Sequence, residues 1–410
     1  MLVGLQDARS EIVDALIMEG GKPRMFAEQE LARTLSVFTW AAEEAKRFCG
    51  ERIPMDGMER GLGYEGYTRR EPIGTILGIC PFNFPLNLVS HKVAPALAAG
   101  NPVIIKPPTN TPISALILAR IASEAGAPPG SLNVLPMRHE DASLLLENEH
   151  IKMISFTGSP KVGWALKKKA GKQRVTLELG GNSGTIVDAS ADLPWAAKRC
   201  ALGGFAQAGQ SCIAVQRIYV HSGAYDTFLD LLISEAGALK IGDPRKDGVT
   251  VGPVINSQAA DRIMDWIEEA VSAGARVVHG GKRRRLGCGN VIEPTILTDV
   301  DEKMRVCCKE VFGPVVAVTP FEELETAIHR INGSGFGLQA AIFSNDLRSV
   351  QLAVELLEVG GVVVNDFPTY RVDHMPYGGV KDSGLGREGI RSAMLEMTLE
   401  KMVVIRKEKA

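Results

Sequence analysis

The sequence predicts an α/β protein of two or more domains built on doubly wound parallel sheets, and two observations carry that prediction. Short β-branched runs alternate with helix-length segments through the middle of the chain, as strand–helix–strand units require. The chain is also too long for one ordinary core, at 410 residues with 45 % hydrophobic content. Residues 102–106 (Pro-Val-Ile-Ile-Lys) read as a buried strand. Pro112 opens a helix over 112–125, and Pro128-Pro129-Gly130 stops it. A strand follows at 132–135, a short helix at 141–147, a strand at 152–156, a helix at 161–169 and a strand at 174–179. After Gly181 the pattern restarts with a strand at 184–188, a helix at 191–206, a strand at 214–220 and a helix at 223–235. Further units follow: a helix at 257–273, strands at 276–279 and 361–364, and a helix at 322–332. These form a second α/β domain. Residues 51–70 read as an excursion from both sheets.

Composition excludes several functions. Lys plus Arg number 46 against 48 Asp plus Glu, a formal charge of −2, which points to neither nucleic acid nor an anionic membrane surface. Apolar stretches are broken well short of a membrane span. Asp7, Arg9 and Glu11 fall inside a helix-like pattern, which is wrong for a signal peptide. The seven cysteines, an odd number scattered through a large chain, suit a reducing compartment better than a disulfide framework. No Cys-x-x-Cys or histidine cluster offers metal spacing, and adjacent Cys307 and Cys308 are expected on opposite faces of a strand. The expectation is a cytoplasmic, metal-free protein.

Two residues suggest chemistry. Cys212, in Ala208-Gly209-Gln210-Ser211-Cys212-Ile213-Ala214, is a thiol on a glycine-bearing loop that leads into a strand, where a scaffold can hold sulfur exposed. Glu178, in Leu177-Glu178-Leu179-Gly180-Gly181, is a potential base beside a pair of glycines that let backbone and substrate come close. With Pro81-Phe82-Asn83-Phe84-Pro85, Phe156-Thr157-Gly158-Ser159 and Glu310-Val311-Phe312-Gly313-Pro314, these motifs resemble those of the aldehyde dehydrogenase superfamily, in that family's order and over nearly the whole chain.

The resemblance implies a Rossmann-type cofactor domain over 1–50 and 75–179, a catalytic domain over 180–393 and a small β oligomerisation element over 51–74 and 394–410. It implies that Cys212 adds to an aldehyde, that Asn83 and the Cys212 backbone N–H hold the oxyanion, and that Glu178 activates the water that releases the acid. Glu178 is generally missing from relatives that pass the acyl group to coenzyme A, so its presence favours hydrolysis. The Gly158-Ser159 turn takes the place of a Gly-x-Gly-x-x-Gly loop for pyrophosphate. Lys106 is implied at the adenine-side ribose, Glu310 at the nicotinamide ribose and Phe312 on the ring. Pro81, Phe82, Gly130, Phe156, Thr157, Val162, Leu179 and Gly180 complete the cofactor contacts. NAD-preferring members often carry glutamate at the position of Thr109; a neutral residue there removes repulsion of a 2′-phosphate and admits NADP as well as NAD.

Arg33 and Arg371 resemble arginines that bind anionic tails in lactaldehyde, non-phosphorylating glyceraldehyde-3-phosphate and phosphonoacetaldehyde dehydrogenases. The residues alone equally allow Arg33 on a solvated helix face and Arg371 as a loop residue pairing Asp373. Ser211 stands where phosphate-specific members place an arginine, which weakens a three-carbon phosphate substrate and leaves lactaldehyde or succinate semialdehyde open. The chain lacks a segment that family members usually carry ahead of the helix near Gln6, so an inactive or scaffold form is the alternative. A cysteine hydrolase is disfavoured, because no motif-borne histidine accompanies Cys212. The expected assembly is a homodimer or homotetramer without nucleic acid or membrane partners.

Overall fold

Strand Thr75–Ile79 stands at the centre of a six-stranded sheet. From it the chain moves outward through Val103–Lys106 to Leu132–Val134, then returns to the other side through Ile151–Thr157 and Arg174–Glu178. These five strands are parallel, and Gly384–Leu385 closes the Glu178 side antiparallel. The reversal of strand order lies between Thr75–Ile79 and Ile151–Thr157. In an open parallel sheet, the crevice beyond the carboxyl ends at such a point is where a ligand fits. The loop after Ile79 carries Asn83, and the turn after Thr157 carries Gly158 and Ser159.

A seven-stranded sheet forms the second layer system, ordered Arg276–His279, Thr295–Thr298, Val315–Phe321, Val215–His221, Ser183–Val187, Gln339–Phe343 and Gly361–Val364. All pairs are parallel except the first. Every residue of Ser183–Val187 and of Gln339–Phe343 is buried, as expected of central strands covered by helices on both faces. Phe205 and Phe228, both fully buried, anchor the helices Leu193–Phe205 and Tyr225–Ala238 on one face. Residues 51–72 leave both sheets as expected: Tyr64–Pro72 pairs antiparallel with Thr398–Arg406 along its whole length, and Arg52–Ile53 adds a short third strand.

The computed structural model describes residues 1–138 and 141–407, apart from the side chain of Ser143; residues 408–410 of the expected C-terminal element lie outside this set. The anticipated strands and helices are present, their ends within two residues except that the helix expected over 223–235 runs on to Ala238. Cys307 and Cys308 correct one expectation: they occupy the helical turn Arg305–Cys308, which buries Cys307 and leaves Cys308 partly exposed. The alternation of apolar and polar positions around them is too short to separate a turn of helix from a strand. No helix among the described residues is long and apolar enough to cross a membrane.

Helix Asn87–Ala98 follows the Asn83 loop, and its start is fixed by a charge. Glu30 is fully buried; Oε1 accepts from the N–H groups of Leu86 and Asn87 at 2.9 and 3.0 Å, and Oε2 pairs with buried Lys22. A carboxylate at a helix N-terminus answers both the orphan donors and the dipole. The Asn83 loop is therefore held from the side of helix Arg24–Ala45, which carries Glu30.

Phe228 tests the core independently of the cavity described below. Phe228→Ala should cost about 3–5 kcal/mol, since the surrounding side chains cannot close over a lost ring. A urea midpoint shift corresponding to less than about 1 kcal/mol would show that the helix Tyr225–Ala238 does not rest on it.

Candidate active site

Glu178 ends the last parallel strand of the first sheet, and only five residues later Ser183 begins a central strand of the second. In between, the chain passes through Gly180 and Gly181 under tight confinement. A Cβ on Gly181 would lie 1.9 Å from the Cys212 carbonyl oxygen, and one on Gly180 would lie 2.5 Å from Glu310 Oε2. The Gly181 N–H donates to Glu310 Oε1 at 3.0 Å. Two bare backbone positions thus bring the glutamate strand, the cysteine loop and the Glu310 loop together.

The cysteine loop is itself strained. Gln207 and Ala208 have φ of 51° and 56° and Gly209 follows at 64°, three successive left-handed positions of which only one is glycine. The geometry is tied down: Gln207 Nε2 donates to the Asn83 carbonyl at 2.6 Å, Asn83 Nδ2 to the Gln210 carbonyl at 3.1 Å, and the Ile255 N–H to Gln210 Oε1 at 2.9 Å. Asn83 retains one amide hydrogen beyond that bond. The Cys212 N–H finds no protein acceptor among the described residues. Together they are two donors available to an oxyanion.

Cys212, Glu178 and Asn83 line one cavity of about 280 Å³. Pro81, Phe82 and Phe312 form part of its wall, Phe82 and Phe312 meeting edge to face at 5.8 Å. Thr157, Gly158, Ser159, Leu179, Gly180 and Glu310 also line it. Leu88 does too, from the helix after the Asn83 loop; as one apolar residue in an apolar helix it gave no signal in the sequence. Larger hollows lie elsewhere, one of about 520 Å³ beside Gly20 and Asp243, but neither Cys212 nor Glu178 reaches them.

The remaining sequence candidates lie outside this wall. Phe156 is buried under Gly158, whose Cβ would strike the Phe156 ring at 2.6 Å. Lys106 ends its strand buried, its ammonium on the Pro107 carbonyl at 3.1 Å, and burial lowers its pKa. Thr109, Gly130 and Val162 are exposed, and Ser211 is half-buried. Ser159 caps helix Pro160–Lys169; among the described residues the N–H groups of Ser159 and Lys161 have no protein acceptor. A turn without room for side chains, unpaired N–H groups at a helix start and an adjoining apolar slot suit a dinucleotide.

The Arg371 side chain is buried and pairs with Glu388 at 3.3 Å, whereas Asp373 receives both a 2.8 Å and a 3.2 Å bond from Arg33. The pairing of Arg371 with Asp373 that the sequence allowed is thus replaced, and Arg33 is half-buried rather than on a solvated face. Asp373 also bonds His91 Nε2 at 2.8 Å. Lys92 donates to Glu388, Thr157 and Ser155 at 2.9, 2.8 and 3.1 Å. Tyr377 lies between this cluster and the thiol: its hydroxyl is 3.2 Å from Cys212 Sγ and its ring centroid 3.7 Å from the Arg371 guanidinium carbon. None of His91, Lys92, Tyr377 and Glu388 was singled out in the sequence. Lys92, a lone cation inside an apolar helix, was the one available clue.

Electrostatics divides these groups. Burial, then the nearby Glu388 charge, pushes Glu178 well above the usual carboxylate range, and neither of its oxygens has a hydrogen-bond partner among the described residues. Burial raises Glu310 to about 7 and Cys212 to about 12, the Tyr377 bond acting downward on the thiol. Burial and Arg371 hold His91 down at about 4, so it is neutral at pH 7. Lys92 and Arg371 keep Glu388 ionised despite its burial.

Residues 3–403 match the model of the aldehyde dehydrogenase family. A 3-sulfolactaldehyde dehydrogenase of Priestia aryabhattai is 45 % identical over 402 residues, 98 % of this chain and 83 % of that protein. Aldehyde dehydrogenase 21 of Physcomitrella patens, solved with its reaction product succinate, superposes with a TM-score of 0.96 at 42 % identity, covering 99 % of this chain and 84 % of that one. The glyceraldehyde-3-phosphate dehydrogenase GapN of Methanocaldococcus jannaschii, solved with NADP, gives 0.94 at 38 % identity over 99 % and 88 % of the two chains. The chain belongs to the aldehyde dehydrogenase family and is an enzyme that oxidises aldehydes with a nicotinamide dinucleotide.

Proposed function

We propose that this enzyme oxidises a small aldehyde carrying an anionic group to the free acid, with Cys212 as nucleophile, Asn83 and the Cys212 N–H as oxyanion donors and Glu178 as the base for hydrolysis. The observation that carries this reading is the convergence of Cys212, Glu178 and Asn83 on one cavity of about 280 Å³. A thiolate adds to the aldehyde carbon, and the developing alkoxide is met by the two donors. When bound, the oxidised nicotinamide supplies a hydride acceptor. Loss of the carbon-bound hydrogen as hydride leaves a thioester on Cys212. Glu178 then takes a proton from the attacking water, and the acid departs as the thiol is regained.

The Gly158-Ser159 turn, Glu310, Phe312 and Lys106 are the groups we assign to the cofactor, with Thr109 leaving NADP and NAD both admissible. We assign the first sheet to cofactor binding, the second to catalysis and the three-stranded sheet to homo-oligomer contacts. That small sheet exposes Met402, Val404 and Ile405, which a second copy would cover. Cytoplasmic residence fits the scattered free cysteines.

The anionic substrate follows from charge. Arg33, Arg371 and Lys92 are three cations facing two ionised carboxylates, Asp373 and Glu388, while His91 is neutral and burial pushes Glu178 toward its neutral form. Among the described residues the buried Arg371 Nε has no hydrogen-bond partner, leaving a donor that an anion can satisfy. The sulfonate in the name of the Priestia relative and the succinate bound to the moss enzyme are small anionic molecules of the matching kind. The test is a panel of sulfolactaldehyde, succinate semialdehyde, lactaldehyde and propanal with both cofactors. The kcat/KM for the two anionic aldehydes should exceed that for propanal by about tenfold or more, about 1.4 kcal/mol of differential binding. Equal values would show that the cations do not meet the substrate.

Two substitutions test the chemistry. Cys212→Ala should abolish oxidation while cofactor binding, followed by fluorescence, stays largely intact. Glu178→Gln should give a burst of about one reduced cofactor per active site and then slow turnover, because hydride loss precedes hydrolysis. In the unaltered enzyme only ionised Glu178 can take the water proton, so its raised pKa makes deacylation speed up as pH rises through that value. Loss of that limb in Glu178→Gln would identify its source. A burst reduced as much as the steady rate would remove Glu178 from hydrolysis.

A further inference from the structure

We propose that the Tyr377 hydroxyl is a catalytic group: it donates a hydrogen bond to Cys212 in its thiolate form and thereby sets how much nucleophile is available. This rests on Cys212 being the nucleophile and adds a residue that neither the motifs nor the three functional groups above include. The geometry is direct. The hydroxyl lies 3.2 Å from Sγ and has no other partner among the described residues.

The phenol is held in place from three sides. Its backbone exchanges hydrogen bonds with Glu388, at 3.0 and 2.6 Å. The next residue is clamped, since a Cβ on Gly360 would fall 1.7 Å from the Gly378 carbonyl oxygen. The Arg371 guanidinium stacks on the ring face at 3.7 Å and is itself anchored by Glu388. A hydroxyl fixed this way is preorganised for the charge that forms on sulfur, which is when such donors help most.

The direction of donation follows from the charges facing the pair. Burial is the largest influence against a negative charge on sulfur, with Glu310 and Glu178 adding to it in their ionised forms; the Tyr377 bond and Arg371 favour it. Burial and the neighbouring Cys212 keep the phenol protonated, so it can only give its hydrogen to a thiolate, which has none to offer. Arg371 over the ring withdraws electron density and makes the O–H a better donor. On ionisation the thiol proton passes to solvent. When the sulfur lone pair forms the C–S bond, the carbonyl π pair moves to oxygen, and the phenol keeps its proton throughout. A phenylalanine ring would preserve the packing and the cation stacking but supply no donor.

The test is the pH dependence of Cys212 alkylation by iodoacetamide, read on the Cys212 peptide by mass spectrometry with Cys212→Ala as the blank. Hydrogen bonds to charged groups are strong enough that Tyr377→Phe should raise the alkylation midpoint by about one pH unit, with roughly tenfold slower labelling below it. Replacing Tyr377 with 3-fluorotyrosine, a more acidic phenol of nearly the same shape, should lower the midpoint. Opposite shifts support the proposal. A midpoint unchanged in both replacements overturns it, even if turnover falls, because packing alone does not follow phenol acidity. The reading of Cys212 fails separately, by turnover surviving in Cys212→Ala.

Discussion

Everything at the active site depends on a backbone crossing that no side chain can share. Gly180 and Gly181 carry the chain from the end of one parallel sheet to the start of the other, against the Cys212 carbonyl on one side and the Glu310 carboxylate on the other. Any Cβ at Gly181 pushes against backbone, which cannot rotate out of the way as a long side chain could. Glu178, the Cys212 loop and the Glu310 loop are therefore located relative to one another by van der Waals contact. Sheet rigidity is transmitted directly to the reacting groups, and a strained loop with two non-glycine residues at positive φ is tolerated because its surroundings over-determine it.

Behind the thiol, the polypeptide has placed its most expensive groups. Lys92, Arg371, Glu388 and Asp373 carry buried charged side chains, and each is paired with an oppositely charged group, although Arg371 Nε keeps a free donor among the described residues. Such pairs are poor stabilisers compared with apolar packing of equal volume. Their retention is understandable where the field they create acts on chemistry. The positive excess favours negative charge on sulfur and on a bound anion, while burial pushes Glu178, whose oxygens have no hydrogen-bond partner among the described residues, well above the usual carboxylate range.

Much of this was legible in the sequence, for identifiable reasons. Strand–helix alternation survives in composition, so the runs at 102–106, 152–156 and 214–220 announced themselves as strands. Cys212 and Asn83 sit in loops marked by glycine or proline, and Glu178 ends its strand just before Gly180 and Gly181, where backbone requirements restrict the residues allowed. Arg371 was noticed, yet its partner was not, because Glu388 is 17 residues away and nothing local links them. Tyr377 and Lys92 were missed for the same reason: their roles exist only through contacts spanning 165 and 296 residues. Cys307 and Cys308 were misassigned because one helical turn leaves no readable period.

The long reach of these contacts also sets the order in which a nascent chain can finish the site. Lys92 is destined for a dry interior, but its carboxylate partner is synthesised almost three hundred residues later, and strand Tyr64–Pro72 waits still longer for Thr398–Arg406. Until the segment beyond Asp373 leaves the ribosome, the first sheet lacks its Gly384–Leu385 edge and the buried ammonium has no counter-charge. Closure entropy for such distant pairings is lost before their contacts are gained, which makes the step slow. The Cys212 loop and the Gly158-Ser159 turn are thus synthesised before Arg371, Tyr377 and Glu388, so the site can be completed only once the chain is nearly full length.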